Sequence, residues 1–536
     1  MGQDLKDLLH QKWGEDWLIG ADSHRFWQRL RYWLEYYDAK TSSNAPVLIS
    51  TPNSLEHLTQ LFAAHARGYD AVLGNPAWKA QEQRQLATLQ SEFWQATSGR
   101  GRFREAGPER PRAGNQSLAA QIAESSHPPD RFNQHDSTGT EPSILIPTGG
   151  TSGQVKLVMH TWQTLMASVE GFRSHFKLDL VNAYCVLPLF HVSGLMQALR
   201  VFTVGGKLAL QSYDELKRRQ RLPLPSPGFL SLVPTQLQWL LEQNGDTIDW
   251  LQSFRAVLLG GAPPWPRLLH QAREKQIPIA LTYGMTETGS QVATLLPEQF
   301  LAGKSSNGRP LPHAAIHILN TEHQPRAPGL VGQIAIAARS LALGTVSLAP
   351  SGNHTAPGAR YNRKDDYLRN FNSGMSGVLN PKALSSGRPQ VSTTEPLLLT
   401  DDMGFLDDAG ELHVVGRRSN KLITGGENVF PEEVETVLLA AAAVQDVCVV
   451  GLPDNCWGQC LCGVVVLSSA AAPLADLAAV MQSNLARYKC PKVWIAVEAL
   501  PRTAQGKINR KQALQQAEKI LRSLGSGCFQ RLPQGN

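Results

Sequence analysis

The part of the chain best suited to chemistry is a short stretch that combines glycines, hydroxyl groups and a lysine. It reads Thr148, Gly149, Gly150, Thr151, Ser152, Gly153, Gln154, Val155 and Lys156, and it follows an apolar run at 143–147. A strand that leads into such a loop exposes backbone N–H groups with little side chain around them, as a bound polyphosphate requires. The loop does not end in Gly-Lys-Ser/Thr, so it is not a Walker A motif. Taken alone, it could also be an ordinary turn.

Two further segments follow apolar runs, at the place where open α/β sheets bind their ligands. His191 lies beside Ser193 and Gly194 at the end of one run, although a lone histidine of this kind is most often structural. The other segment is a tight turn made of Gly260, Gly261, Ala262 and Pro263. Both segments are therefore candidate ligand-binding loops.

Residues 282–288 follow a third apolar run and include Tyr283 and Gly284. Within them, Thr286 offers a hydroxyl for a phosphate and Glu287 offers a carboxylate for Mg²⁺. The alternative is a helix that begins here with Thr286 as its N-terminal cap.

Charged residues mark two segments nearer the C-terminus. Asp402 could accept hydrogen bonds from two ribose hydroxyls, and Arg417 follows it within the same block. Lys507 lies on a turn marked by Gly506, where a surface lysine would be unremarkable by itself.

The elements that must position these residues are indicated by alternating patterns between 143 and 340. Strands are predicted at 183–187, 229–233, 256–259 and 279–282, and helices at 163–175, 235–243 and 267–275. A strand at 47–50, a helix at 55–67 and an amphipathic packing helix at 24–37 precede them. The alternation predicts an α/β domain with a largely parallel sheet.

Two segments, 97–140 and 345–395, interrupt the pattern with Gly, Pro, Ser and Arg. They are predicted to be surface insertions or mobile loops without a catalytic role. A final unit begins at Asn420, with a helix from Pro431, strands at 447–451 and 462–467 and a helix at 476–487. A compact α+β domain is expected there.

Composition limits the classes of function. A chain of 536 residues is longer than one hydrophobic core usually supports, so two or more domains are expected. A net charge of +6 fits a small anionic substrate better than it fits nucleic acid. No apolar run reaches the roughly 18 residues that span a bilayer. The seven scattered cysteines predict a reduced, cytoplasmic protein. Cys460 and Cys462 fit a buried strand better than a zinc site, because no matching pair lies elsewhere.

Taken together and in this order, these segments resemble the adenylate-forming acyl-CoA synthetase superfamily from about 143 to 512. The superfamily's loop reads Thr-Ser-Gly-Thr-Thr-Gly-x-Pro-Lys, from which this chain departs at Gly149, Ser152 and Val155. The resemblance implies a large multi-sheet N-terminal domain, 1–419, and a small mobile C-terminal domain, 420–536. It also implies ATP and Mg²⁺, with coenzyme A as a second substrate of the ligase.

The resemblance implies a set of residues that contact ATP. They are Thr148, Gly149, Gly150, Thr151, Ser152, Gly153, Lys156, Gly260, Gly261, Ala262, Pro263, Tyr283, Gly284, Asp402 and Arg417. The 148–156 loop would hold the phosphates, the glycine turn would line the adenine, and Asp402 would bind the ribose. Asp401 is the alternative to Asp402 as the ribose-binding residue, because the superfamily often has glycine where Asp401 stands and the two aspartates could be misassigned by one position.

The catalytic roles are likewise implied by the resemblance. Thr286 would contact a phosphate, Glu287 would bind Mg²⁺, and Lys507 would serve the adenylation step. Asn420 falls at the hinge, where the superfamily more often has Asp or Lys. His191 would lie near the reacting carboxylate of a small-molecule acid.

The block at 419–431 is similar to that of 2-succinylbenzoate–CoA ligases, and residues 73–78 are similar to the versions in photosynthetic bacteria. This implies a pocket for an aromatic ring and a second carboxylate. Candidates for that pocket are His191, Ser193, Gly194 and Gln236, with Gln197 and Arg200 as further polar residues.

Two alternatives remain. One is an acyl- or aryl-CoA ligase for another acid, or an adenylation domain for a carrier protein; the other is a catalytically silent nucleotide-binding protein. The sequence leaves the oligomeric state open, with a homodimer as one alternative.

Overall fold

The described residues form four β-sheets and the helices that cover them. The computed structural model describes residues 3–20, 23–39, 46–78, 82–83, 86, 141–149, 155–218, 221–243, 245–347, 378–379, 397–454, 457–468, 474–502 and 508–523. Within these ranges, none of the helices is both long and apolar enough to cross a membrane.

The helices are α1 (Leu5–Gln11), α2 (Ser23–Asp38), α3 (Ser54–Ala66), α4 (Trp162–Phe176), α5 (Val192–Val204), α6 (Tyr213–Lys217), α7 (Pro234–Leu241), α8 (Asp246–Gln252), α9 (Pro266–Glu274), α10 (Pro297–Leu301), α11 (Pro431–Ala440), α12 (Leu474–Asn484) and α13 (Arg510–Ser523). Short 3₁₀ helices cover Thr286–Thr288, Arg418–Asn420 and Arg487–Lys489.

The strands are β1 (Leu18–Ile19), β2 (Val47–Ile49), β3 (Ala71–Leu73), β4 (Ser143–Gly149), β5 (Val155–Thr161), β6 (Ala183–Cys185), β7 (Leu208–Leu210), β8 (Phe229–Leu232), β9 (Ala256–Leu259), β10 (Ile279–Met285), β11 (Ser290–Thr294), β12 (Arg309–Pro310), β13 (Ala314–Leu319), β14 (Gly332–Ala338), β15 (Gly344–Ser347), β16 (Val378–Leu379), β17 (Leu397–Leu406), β18 (Leu412–Arg417), β19 (Leu422–Thr424), β20 (Glu427–Val429), β21 (Val444–Asp454), β22 (Gly458–Leu467) and β23 (Val493–Ala496).

The largest sheet has eight strands in the order β1-β7-β6-β8-β9-β10-β11-β12. Its pairs are parallel from β1 to β10, and β11 and β12 are antiparallel additions. Both faces are buried, because Ala256 and Leu258 join one apolar core while Val257 and Leu259 join another. A sheet covered on both faces requires continuous apolar strands, and these short runs meet that requirement.

Two further sheets complete the N-terminal part. The order β15-β5-β4-β3-β2 contains the antiparallel strands β4 and β5, to which the two ends of the glycine-rich segment belong. The order β13-β14-β17-β16, with β18 paired to β17, is antiparallel throughout. These two sheets and the eight-stranded sheet bring the candidate loops toward one another.

The C-terminal unit is a sheet of order β20-β19-β22-β21, with β23 parallel to β22. Helix α11 begins with Pro431, and Glu432 and Glu433 lie in its first turn, where the helix dipole favours acids. Helices α11 and α12 contribute to one core of this unit and α13 to the other. Cys460 and Cys462 are buried in β22, so the predicted strand is confirmed for these two cysteines.

The predicted α/β class, with a large N-terminal and a small C-terminal part, is confirmed. The predicted loop at 345–395 is wrong at two places that the structure describes. Residues Thr345, Val346 and Ser347 belong to β15 and pair with β5, and Val378 pairs with β17. A partner strand that is remote in sequence stabilises these short segments, which have no periodicity of their own. The remainder of this segment and all of 97–140 lie outside the described residues.

Candidate active site

The two ends of the glycine-rich segment belong to the antiparallel strands β4 and β5. Thr148 lies directly opposite Lys156 in this antiparallel pair, and Gly149 is the last residue of β4. Lys156 also lies opposite Ser347 of β15, so its strand is held on both sides. The lysine is therefore fixed at the base of the loop, while the predicted phosphate residues Gly150, Thr151, Ser152 and Gly153 lie outside the described residues.

The predicted adenine turn follows β9. A side chain at Gly260 would place its Cβ 2.3 Å from the Thr282 hydroxyl oxygen, and Gly261 has a positive φ of 79°. Gly261, Ala262 and Pro263 are exposed. Gly260 thus allows the Thr282 hydroxyl to pack against the backbone, and the next three residues leave the carboxyl end of β9 exposed.

The segment after β10 is a 3₁₀ turn that presents Thr286 and Glu287. Their side chains are partly buried, and no described residue bonds with the Thr286 hydroxyl or the Glu287 carboxylate. Mg²⁺ usually takes one or two protein carboxylates, with phosphate oxygens and waters as the other ligands. Glu287 fits that role, although the described residues contain no group of three His, Cys, Asp or Glu that could hold a metal alone.

The predicted aromatic and ribose residues meet in one buried cluster. The Tyr283 hydroxyl donates to Oδ2 of Asp402 at 2.8 Å, and Nε of Arg417 lies 3.2 Å from Oδ1. Asp402 and Arg417 are direct cross-strand partners in β17 and β18. Burial raises the pKa of Asp402 above its usual value, and Arg417 and Tyr283 oppose that shift. Burial also raises the pKa of the Tyr283 phenol, and the Asp402 carboxylate adds to that effect.

The neighbouring Asp401 has a different environment. Its carboxylate is 41% exposed and accepts hydrogen bonds from the backbone N–H and the hydroxyl of Ser419. Asp401 therefore caps the linker between β18 and β19. Of the two aspartates, Asp402 is the one that faces Tyr283 and the interior.

The histidine segment forms the start of α5. His191 is the N-terminal cap residue, and Ser193 is exposed in the first turn. A Cβ at Gly194 would lie 2.3 Å from the Pro188 carbonyl oxygen, so only glycine permits this approach. Gln236 instead caps α7, because its Oε1 accepts a bond from the N–H of Val233 at 3.1 Å.

One of the further polar candidates, Arg200, has an unusual environment. It is 3% exposed on α5, and one guanidinium nitrogen lies 3.2 Å from the Ser290 hydroxyl. Among the described residues, no carboxylate pairs with it and its Nε has no hydrogen-bond partner. Burial lowers the pKa of Arg200 to about 9, so the side chain is still a cation at neutral pH.

Two residues near Arg200 also have buried polar atoms without hydrogen-bond partners among the described residues. Gln197 is buried one turn earlier on α5, and its Oε1 is unsatisfied within the described part of the chain. Both ring nitrogens of His313 are unsatisfied there too. Sequence reasoning did not single out His313, because nothing beside it in the chain marks it as part of a site. Buried polar atoms without partners indicate a place where a ligand completes the hydrogen bonding.

The predicted hinge residue is tied to the C-terminal unit. The Asn420 amide donates to Oε1 of Glu432 at 2.6 Å, and Arg510 lies 3.2 Å from the same oxygen. Arg510 also pairs with the buried Glu435. Lys507, the predicted adenylation residue, lies outside the described residues.

Comparisons with known proteins agree with this arrangement. A family model described as AMP-binding enzyme matches residues 22–345, and one described as AMP-binding enzyme C-terminal domain matches residues 433–507. The 2-succinylbenzoate–CoA ligase of Geobacillus kaustophilus (strain HTA426) is 33% identical over 377 residues, which cover 69% of each chain. That of Enterococcus faecalis (strain ATCC 700802 / V583) is 32% identical over 379 residues, 70% of each chain.

Solved structures share the whole fold. The o-succinylbenzoate coenzyme A synthetase MenE from Bacillus subtilis, in complex with AMP, superimposes with a TM-score of 0.68 at 25% identity, covering 95% of this chain and 97% of that one. ATP-bound MatB from Rhodopseudomonas palustris gives a TM-score of 0.71 at 19% identity, covering 97% and 99%. The resemblance predicted from the motifs is thereby confirmed. The first family model matches more than half of this chain. The chain therefore belongs to the AMP-binding enzyme family.

Proposed function

We propose that the protein is an ATP-dependent carboxylate–CoA ligase that converts 2-succinylbenzoate into 2-succinylbenzoyl-CoA through an acyl-adenylate. This thioester is an intermediate of menaquinone or phylloquinone biosynthesis. The names of the relatives support the reaction. The observation that carries the choice of a dicarboxylic acid is the buried cation Arg200, which lacks an anionic partner among the described residues.

ATP binding is assigned to the loops that follow β4, β9 and β10 and to Asp402 within β17. The glycine turn after β9 would accept the adenine, Asp402 would bind the ribose hydroxyls, and Lys156 would face the phosphates. Bound Mg²⁺ would neutralise phosphate oxygens and align the triphosphate. Glu287 would hold the ion, and this assignment is supported by its carboxylate, with which no described residue forms a bond.

The first half-reaction joins two anions, so its barrier is dominated by charge repulsion and alignment. A carboxylate oxygen of the acid attacks the α-phosphorus of ATP, and the bond to pyrophosphate breaks. Lys507 and the metal ion would neutralise the oxygens involved. In the second half-reaction, the thiol of coenzyme A attacks the acyl carbon and AMP leaves with the bonding electrons. Before this second half-reaction, the C-terminal domain would move Lys507 away so that the thiol can enter.

The acid pocket is assigned to the start and middle of α5. His191 and Gly194 would lie near the reacting carboxylate, and Arg200 lies about two turns further along the same helix. The Arg200 guanidinium contacts the Ser290 hydroxyl and lies 4.0 Å from the centroid of the Phe172 ring, but it has no anionic partner among the described residues. A buried charge without a counter-ion is costly, and an incoming carboxylate would reduce that cost. Arg200 is therefore proposed to bind the ring carboxylate of the acid. Gln236 contributes less, because its side-chain oxygen already caps α7.

The test is pyrophosphate release from ATP with a panel of carboxylic acids, each with and without coenzyme A. Release with 2-succinylbenzoate, followed by thioester formation when coenzyme A is added, is expected. Turnover only with another acid would assign the chain to a ligase of different specificity. No turnover with any acid, despite ATP binding, would leave a silent nucleotide-binding protein.

A cytoplasmic location is inferred from the thiols. Cys185, Cys448 and Cys462 are buried free thiols, and burial raises the pKa of Cys185 to about 12. Free thiols suit a reducing compartment. A fractionation experiment with an antibody against the protein would test this location.

A further inference from the structure

We infer that His160 is a positioning residue of the nucleotide site, which fixes the backbone of the turn that carries Thr286 and Glu287. The inference rests on the proposed function, because those two side chains are assigned there to phosphate and Mg²⁺. His160 belongs to β5, four residues after Lys156, and none of the motifs described above includes it.

The turn is held by its carbonyl groups. The carbonyl oxygen of Glu287 accepts the N–H of Ala342 at 2.8 Å, and that of Thr288 accepts the Ser340 hydroxyl at 2.8 Å. The carbonyl oxygen of Thr286 accepts the N–H of Gly289 at 3.0 Å. With the backbone anchored in this way, the side chains of positions 286 and 287 are left for a ligand.

His160 supplies the remaining anchor. Its Nε2 lies 2.7 Å from the Thr286 carbonyl oxygen, and its Nδ1 lies 3.0 Å from the hydroxyl of Thr164 on α4. A carbonyl oxygen only accepts hydrogen bonds, so Nε2 must carry the proton. The ring thereby joins the strand of the phosphate loop to the turn of the metal ligand, 126 residues later in the chain.

The buried environment keeps the His160 ring neutral. His160 is completely buried, and burial lowers the pKa of its ring to about 4, although the bond to Thr286 opposes the shift. A Cβ at Gly289 would lie 3.5 Å from Cε1 of the ring, an ordinary van der Waals distance, so the imidazole packs directly against the turn. A shift of one ångström in the turn would misplace the Glu287 carboxylate relative to the hairpin, and such shifts weaken positioning by large factors.

The experiment measures ATP binding by calorimetry, with and without Mg²⁺ and in the absence of any acid. His160→Leu removes both hydrogen bonds, whereas His160→Gln retains an N–H at a reach similar to that of Nε2. We expect His160→Leu to weaken binding of ATP with Mg²⁺ by about 10- to 100-fold, as for groups that orient a metal ligand. Without Mg²⁺ the loss should be much smaller, and His160→Gln should restore most of the affinity.

The control is His57→Leu, which makes the same replacement at another buried histidine, on α3. It should lower the melting temperature without changing the Mg²⁺-dependent affinity. If His160→Leu does not fold, His160→Asn replaces it, because asparagine is too short to reach the Thr286 carbonyl.

Unchanged Mg²⁺-dependent affinity in His160→Leu or His160→Asn would overturn the inference, as would an equal loss in His57→Leu. A wild-type protein that binds ATP with Mg²⁺ but does not release pyrophosphate with 2-succinylbenzoate would contradict only the proposed acid. The two failures are therefore distinguishable.

Discussion

Asp402 combines a cost in stability with a proposed role in binding. Because burial raises its pKa, the ionised carboxylate destabilises the folded protein as the pH rises above the ordinary value of an aspartate. Asp402→Asn keeps an acceptor for the Tyr283 hydroxyl and removes this cost. We expect the melting temperature at neutral pH not to fall, while KM for ATP rises by about 10- to 100-fold through loss of charge-assisted hydrogen bonds.

The control for this prediction is Asp401→Asn, at the exposed aspartate that caps the linker through Ser419. It should leave KM for ATP within about threefold of the wild type. If Asp401→Asn gave the larger effect on KM for ATP, the ribose would have to be assigned to Asp401.

Arg200 offers a direct test of acid specificity. Arg200→Met should lower kcat/KM for 2-succinylbenzoate by about 30- to 1,000-fold, because the ring carboxylate loses its charged partner. For 4-oxo-4-phenylbutanoate, which lacks that carboxylate, kcat/KM should hardly change. Arg200→Met also removes a buried cation that has no counter-ion among the described residues, and methionine can still pack on the Phe172 ring, so the melting temperature should not fall.

Arg31→Met is the matched control, at a second buried arginine, which lies on α2. It should leave the preference for the diacid over the monoacid intact. An Arg200→Met enzyme that retained that preference would show that another residue recognises the ring carboxylate.

At the scale of elements, local patterns predicted most of what surrounds the site. The predicted helix at 163–175 is Trp162–Phe176, and the predicted strand at 256–259 is Ala256–Leu259. Apolar runs, glycines and prolines carry this information within a few residues. β15 was not predicted, because Val346 becomes part of a strand only by pairing with β5.

The candidate site also combines residues that the sequence predicts with contacts that only the fold creates. Local motifs predicted Tyr283, Asp402 and Arg417 as site residues, but the hydrogen bond between Tyr283 and Asp402 joins residues 119 positions apart. The burial of Arg200 and the contact from His160 to Thr286 depend on how α5 and β5 pack against the turn after β10. Such contacts have no local signature, so a single sequence cannot supply them.

The ionic cluster between α11 and α13 supports the C-terminal unit. Arg510 begins α13 and pairs with Glu435, whose Oε1 also accepts the N–H of Val449 at 2.7 Å. Arg510→Met would leave the Glu435 carboxylate buried without its cation. We expect this change to reduce the free energy of unfolding by about 3–5 kcal/mol, measured by urea titration.

Arg522→Met, in the exposed pair with Glu518 on the same helix, is the control and should not change the urea midpoint measurably. The double variant Arg510→Met/Glu435→Gln should recover part of the loss, since the buried Glu435 charge is then removed together with its cation, whereas Glu432 still lacks its partner. Equal midpoints for Arg510→Met and the wild type would show that the cluster does not stabilise this unit.

At the scale of the whole molecule, the proposed reaction needs the C-terminal unit in two arrangements. Lys507 is assigned to the first half-reaction alone, so Lys507→Ala should slow pyrophosphate release by about 100- to 1,000-fold. Thioester formation from supplied acyl-adenylate and coenzyme A should remain close to that of the wild type. Rapid-quench assays of each half-reaction measure the two effects, and equal losses in both would contradict the assigned role.

The buried histidines predict how the stability of the whole protein depends on pH. Burial lowers the pKa of His57 and of His313 to about 4, with Arg339 and Arg200 adding to the effect at His313. Unfolded histidines titrate near 6.5, so the unfolded chain binds more protons between about pH 6.5 and 4, and stability is lost as the pH falls through that window. At pH 5 each histidine should lower the free energy of unfolding by about 2 kcal/mol.

His57→Gln should therefore reduce the fall in melting temperature between about pH 7 and 5, whereas His270→Gln, at an exposed histidine, should leave it unchanged. An identical fall in His57→Gln and the wild type would mean that His57 gains its proton without unfolding.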